Sequence, residues 1–131
     1  MTLPTQGQSI TFRKTLSVAE QGFFTGISGN LGGLYVDRTK AKAQGLADMA
    51  VFELAAGALF TTALARLAGP EWRIAEISFR FLRPMVLAET LAATATVTEV
   101  GESLAFTLTG TAGDETVIEG AARMARVCAD V

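Results

Sequence analysis

The chain has 131 residues, half of them apolar and 18% charged, which is the size of one domain, with apolar side chains enough to fill a core. Eleven Lys and Arg against thirteen Asp and Glu leave a net charge of −2, without the basic field that nucleic acid or an anionic membrane surface calls for. There is no histidine, which excludes every Ser-His-Asp and Cys-His arrangement, every imidazole base and most zinc sites, and no metal site is expected.

Residues 1–10 lack a basic segment followed by an apolar one, so no secretory signal is expected and the cytoplasm is the expected compartment. From Ile10 to Leu16, apolar Ile10, Phe12 and Leu16 alternate with polar Thr11, Arg13 and Thr15, which predicts a half-buried strand whose inner row Lys14 breaks. Ser17 and Glu20 have the spacing of a capping box, predicting a short helix from about Val18 toward Phe24 that ends near Gly26. Four glycines from Gly26 to Gly33, with Ser28 and Asn30 among them, mark an irregular loop of the kind that carries sites. It is not a phosphate-binding P-loop, because no Lys-Ser/Thr pair follows it.

Ala47 to Ala68 is dominated by Ala and Leu and contains no proline, which predicts a helix of about six turns, capped by Asp48 and stopped by Gly69-Pro70. Its apolar residues lie all around, so it is expected to be covered on most sides, while Glu53 and Arg66 leave too short an uncharged run to cross a bilayer. Four strands follow, at Arg73 to Leu82, Thr90 to Val100, Leu104 to Ala112 and Thr116 to Val127. The short connections Gly101-Glu102-Ser103 and Gly113-Asp114-Glu115 predict antiparallel neighbours in a meander. The fold class is α+β, one domain over residues 1–131, with an antiparallel sheet of about five strands wrapped around one long helix. Cys128, the one cysteine, can form no internal disulfide and reads as a small apolar filler or a frayed-end residue near the C-terminus.

The loop Ile27-Ser28-Gly29-Asn30-x-Gly32-Gly33-Leu34-Tyr35-x-Asp37, followed by the long helix and by Phe81-Leu82-Arg83-Pro84 opening the last strands, resembles the MaoC-like acyl dehydratases, which include (R)-specific enoyl-CoA hydratases. The resemblance spans nearly the whole chain and implies a hotdog fold, a dimer or larger homo-oligomer, and acyl-CoA or a similar acyl thioester as ligand. It implies no cofactor beyond the coenzyme A carried by the substrate. The family loop reads Ser-Gly-Asp-x-Asn-Pro-(apolar)-His-x-Asp, with the Asp and His activating water. Here Asn30 stands for that Asp and Tyr35 for that His. An amide takes up no proton at neutral pH and a phenol of pKa about 10 is a poor base, so hydration by the family mechanism is expected to be lost or weakened. The family's Ala-His-Gly signature at the start of the helix is missing too, with Met49-Ala50-Val51-Phe52 in its neighbourhood.

Within this resemblance the candidate catalytic residues are Asn30, Tyr35, Asp37 and Asp48. Asn30 and Tyr35 would donate hydrogen bonds to a thioester carbonyl. Asp37 orients Tyr35 or Arg38, or else caps a turn. Asp48 and Glu53 are the carboxylates on the predicted helix, where other hotdog enzymes, the thioesterases, place a base or nucleophile. Five residues apart, they lie about 140° apart around a helix, so at most one is catalytic. Arg38, Lys40 and Lys42 form a basic run, and with Arg80 and Arg83 they read either as a solvated face or as contacts to coenzyme A phosphates, for which Arg38, Lys40 and Arg83 are the candidates. Three functions follow: an acyl-CoA hydratase or dehydratase with an altered residue set, a non-catalytic subunit partnering an active hotdog chain, and a thioesterase using Asp48 or Glu53.

Overall fold

The structure, a computed structural model, describes residues 3–128. In chain order it holds β1 (Ser9–Thr15), α1 (Val18–Ser28), α2 (Gly33–Val36), α3 (Arg38–Ala43), α4 (Glu53–Ala68), β2 (Trp72–Phe81), β3 (Thr90–Val100), β4 (Leu104–Ala112) and β5 (Glu115–Arg126). All sheet pairings are antiparallel, in the order β1-β3-β4-β5-β2, and α4 lies across one face of the sheet. The α+β architecture expected from the sequence is thus present.

Period-two patterning does the local work. Leu91, Ala93, Ala95 and Val97 of β3 and Leu104, Phe106 and Leu108 of β4 point inward, where they meet Phe60, Ala63 and Leu64 of α4, all buried. Gly110 of β4 leaves room for the Phe60 ring, since a Cβ there would lie 3.1 Å from Phe60 Cζ. Lys14 falls on the half-buried row of β1, and its charge is met by Glu20 at 2.7 Å. Glu20 also closes the capping box with Ser17, and the Lys14 ammonium together with the Ser17 backbone N–H holds its carboxyl down at about 2.

Three expectations are corrected. The first helix runs beyond Gly26 to Ser28 and ends on Gly29, whose φ of 73° suits only glycine without strain, so the irregular loop shrinks to residues 29–32. The long helix begins at Glu53 rather than Ala47, because Met49 to Phe52 are drawn out by tertiary hydrogen bonds that override their helical composition. Ala50 N–H donates to Leu34 O at 3.0 Å, Val51 N–H to Met85 O at 2.8 Å, and Leu87 N–H to Met49 O at 3.1 Å. The same pairing uses up the connection after β2, so β2 makes no hairpin with β3. It crosses to the far edge and pairs with β5, leaving only β3, β4 and β5 as a meander. As expected, α4 is covered on most sides, and Leu54, Ala58, Thr61 and Ala65 form the one exposed stripe.

Among the described residues no helix is long and apolar enough to cross a membrane. Cys128 is exposed, which fits the end-residue reading and not the packed filler.

Candidate functional site

The glycine-rich segment is folded tightly by its own side chains. Ser28 Oγ donates to Phe24 O at 2.8 Å and accepts from Asn30 N–H at 3.1 Å, and Asn30 Oδ1 accepts from Gly32 N–H at 2.8 Å. This turn delivers the chain into α2, a single helical turn that carries Tyr35. Asn30 itself is exposed, with its side-chain carbonyl used by the turn.

The Tyr35 ring stacks on Phe52, centroids 4.4 Å apart and planes 13° from parallel, and Phe24 packs against Phe52 at 4.9 Å. The stack aims the phenol at the first residue of α4, where the Tyr35 hydroxyl donates to Glu53 Oε1 at 2.6 Å. Glu53 is half-buried at the positive end of the helix dipole, a favourable place for a carboxylate. The bond to this carboxylate, reinforced by burial and by its negative charge, pushes the Tyr35 hydroxyl up to about 12.

The sign of this effect gives a prediction. A group whose proton is held more tightly in the folded state contributes stability that is complete below its ordinary pKa of about 10 and is lost as pH rises through about 12. Tyr35 is the one tyrosine of the chain, so its ionisation can be followed by phenolate absorbance without interference. We expect a midpoint near 12 in the native protein and a return toward about 10 in Glu53→Gln. A native midpoint of about 10 would remove the Tyr35–Glu53 bond from the site.

The other candidates are engaged elsewhere. Asp37 caps α3, accepting from Thr39 N–H at 3.0 Å and Lys40 N–H at 3.2 Å, which is the capping role and not the orienting one. Asp48 lies outside the helix and does not cap it. It accepts from Arg38 Nε and from Met49 N–H, both at 2.7 Å, and the Arg38 guanidinium holds its carboxyl below the usual range. Since Asp48 is not helical, the angular argument that separated it from Glu53 does not apply. Arg83 is held by Glu89 through two hydrogen bonds of 3.0 and 2.8 Å and by Glu115 at 3.0 Å, so its charge is already matched. Lys40 forms no ion pair among the described residues and lines a cavity of about 600 Å³ with Gly33, Leu34, Gln44, Leu46 and Pro84.

Sequence reasoning passed over Gln21. It is 4% exposed, a primary amide buried on the inner side of α1. Its Nε2 donates to Tyr35 O and to Ala50 O, both at 2.9 Å, and its Oε1 accepts from Phe52 N–H at 3.2 Å. The available signal was a lone amide at the inward position between Val18 and Phe24. Among the described residues no three His, Cys, Asp or Glu side chains gather as metal ligands would.

The family model described as the thioesterase superfamily matches residues 47–109, the stretch from the approach to α4 into β4. Among solved structures, the unliganded R-hydratase of Pseudomonas aeruginosa is similar with a TM-score of 0.87 at 19% identity, over 98% of this chain and 93% of that one. The (R)-hydratase from A. caviae involved in PHA biosynthesis is similar with a TM-score of 0.88 at 21% identity, over 92% and 96%. The ChsH1–ChsH2 complex from Mycobacterium tuberculosis is similar with a TM-score of 0.83 at 20% identity, over 96% and 99%. No curated protein matches the chain. The architecture that the loop and helix motifs implied is therefore present: the chain is a hotdog-fold protein, built like the MaoC-like (R)-hydratases.

Proposed function

We propose that the chain is an acyl-thioester hydrolase in which Glu53 is the general base. The observation that carries this is the 2.6 Å bond from the Tyr35 hydroxyl to Glu53 at the first turn of α4. Tyr35 occupies one carboxylate oxygen and leaves the other to accept a proton from water. The α4 N-terminus has no side-chain cap, and its first intrahelical bond is from Ala56 N–H to Phe52 O, so the N–H groups of Glu53, Leu54 and Ala55 have no acceptor within the helix. Such donors suit the oxyanion formed when water attacks a thioester carbonyl. The departing thiolate needs no general acid, because thiols ionise at about 8.5. One carboxylate therefore suffices, in a chain without histidine. Asn30, tied into its turn, has no part in this reading.

Lys40, beside the cavity under α3, is the cation best suited to the phosphates of coenzyme A, because Arg38 and Arg83 already face carboxylates. The test is release of free thiol from a panel of acyl-CoA esters. Turnover of saturated esters is expected, and a panel without thiol release would overturn the reading.

The fold likeness to (R)-hydratases supports a second reading, in which water held by Glu53 adds to a 2-enoyl thioester. Loss of enoyl absorbance without thiol release would identify that reaction. A third, a non-catalytic subunit beside an active hotdog chain, draws on the likeness to the ChsH1–ChsH2 complex. Neither reaction with this chain alone, and activity with a second hotdog chain, would select it.

Self-association belongs to the same proposal. β2 pairs on one side only, with β5, and its outer edge is open along ten residues. We expect light scattering to give at least twice the chain mass at micromolar concentration. A monomer there would count against it.

A further inference from the structure

We propose that Gln21 is a positioning residue, a buried amide that sets the separation of Tyr35 and Glu53. The inference rests on the reading of those two residues as the working pair. Three backbone groups converge on Gln21: the carbonyl of Tyr35, the carbonyl of Ala50 and the N–H of Phe52. Two acceptors and one donor at one buried point are matched by a primary amide, which carries two N–H donors and a carbonyl in one plane. A carboxylate would present oxygens to both carbonyls, and an apolar side chain would strip two buried backbone groups and a half-buried one of their Gln21 partner.

The partners tell what is being positioned. One is the backbone of Tyr35, and another is the residue immediately before Glu53. α2 spans four residues, has no side-chain cap and contributes no buried residue, and a helical turn that short does not persist by itself. Its place is fixed from outside, by the Gln21 amide, by the Ala50 N–H bond to Leu34 O and by the Tyr35 stack on Phe52. The stack joins the two supports of the hydroxyl–carboxylate bond through their rings, and Gln21 joins them through directional hydrogen bonds to their backbones. A shift of either support lengthens that bond, and small displacements of catalytic groups are costly in rate.

Gln21→Met separates this role from packing, since methionine keeps the length and fills the space without hydrogen bonds. In the folded variant we expect the Tyr35 ionisation midpoint to fall from near 12 toward about 10. We also expect kcat for thiol release to drop about tenfold or more, with KM changed by less than about threefold because the Gln21 amide is spent on backbone groups. A folded Gln21→Met with native midpoint and native kcat would overturn the proposal. If that variant does not fold, the native chain decides. Its Gln21 side-chain amide resonances should move in Glu53→Gln, and unmoved resonances would overturn it equally. Should Glu53→Gln leave thiol release intact, the hydrolase reading falls, while the Tyr35 midpoint in Gln21→Met still judges Gln21.

Discussion

Glu53→Gln is expected to lower kcat for thioester hydrolysis by about 10²–10⁴-fold, the usual worth of a positioned acid-base group. The exchange is close to isosteric, and the new amide oxygen can still accept from the Tyr35 hydroxyl, so the stack on Phe52 and the start of α4 should persist. What disappears is the ability to take up a proton. KM should change little, because the N–H groups of the first turn remain. Tyr35→Phe should cost less, since it removes a partner of the base and leaves the base itself. Steady-state thiol release on the three proteins measures the order. Full activity in Glu53→Gln would make Glu53 a structural partner of Tyr35 and return the search for a base to Asp48.

The largest effect on stability is expected at Gly120. A Cβ built there would lie 2.2 Å from Ser78 O and 3.1 Å from Phe79 Cδ1, and the first of these is backbone that cannot turn aside. Gly120 faces Phe79 in the β2–β5 register, so relief requires β2 to move off β5. Gly120→Ala is therefore expected to cost about 3 kcal/mol, the upper end of overpacking. Trp72, the sole tryptophan, opens β2 under the Arg126 guanidinium at 4.7 Å, and its fluorescence follows this strand in a denaturant titration. Gly101→Ala is the control: nothing lies within 4 Å of its added Cβ, and a change within about 0.5 kcal/mol is expected. Equal midpoints for the two variants would show that β2 accommodates the methyl group freely.

What the sequence made legible is what local chemistry decides. The strands expected at Thr90–Val100 and Leu104–Ala112 are present to the residue, and Gly101 to Ser103 announced the turn between them. The Ser17–Glu20 capping box is complete in the fold. The misreadings arise where distant backbone intervenes. Ala47 to Phe52 has a helical composition, and bonds to Leu87, Leu34, Met85 and Gln21 hold its last four residues out of the helix. Once Asp48 was assumed to begin the helix, Glu53 appeared as its competitor, and nothing linked Glu53 to Tyr35, eighteen positions earlier. Gln21 was silent for the same reason, since its three partners are spread over residues 35–52.

The extended segment Met49–Phe52 also works as a ruler. Each of its residues is tied to a fixed neighbour, by Leu87, Leu34, Met85 and Gln21 in turn, so the count of residues between those anchors and α4 sets which side chain arrives first on the helix. Every position on a helix turns the next by about 100°. Removing or adding one residue here would swing the carboxylate away from the phenol and carry the exposed stripe of α4 toward the sheet. Chains of this architecture can therefore exchange residues in this segment far more readily than they can change its length.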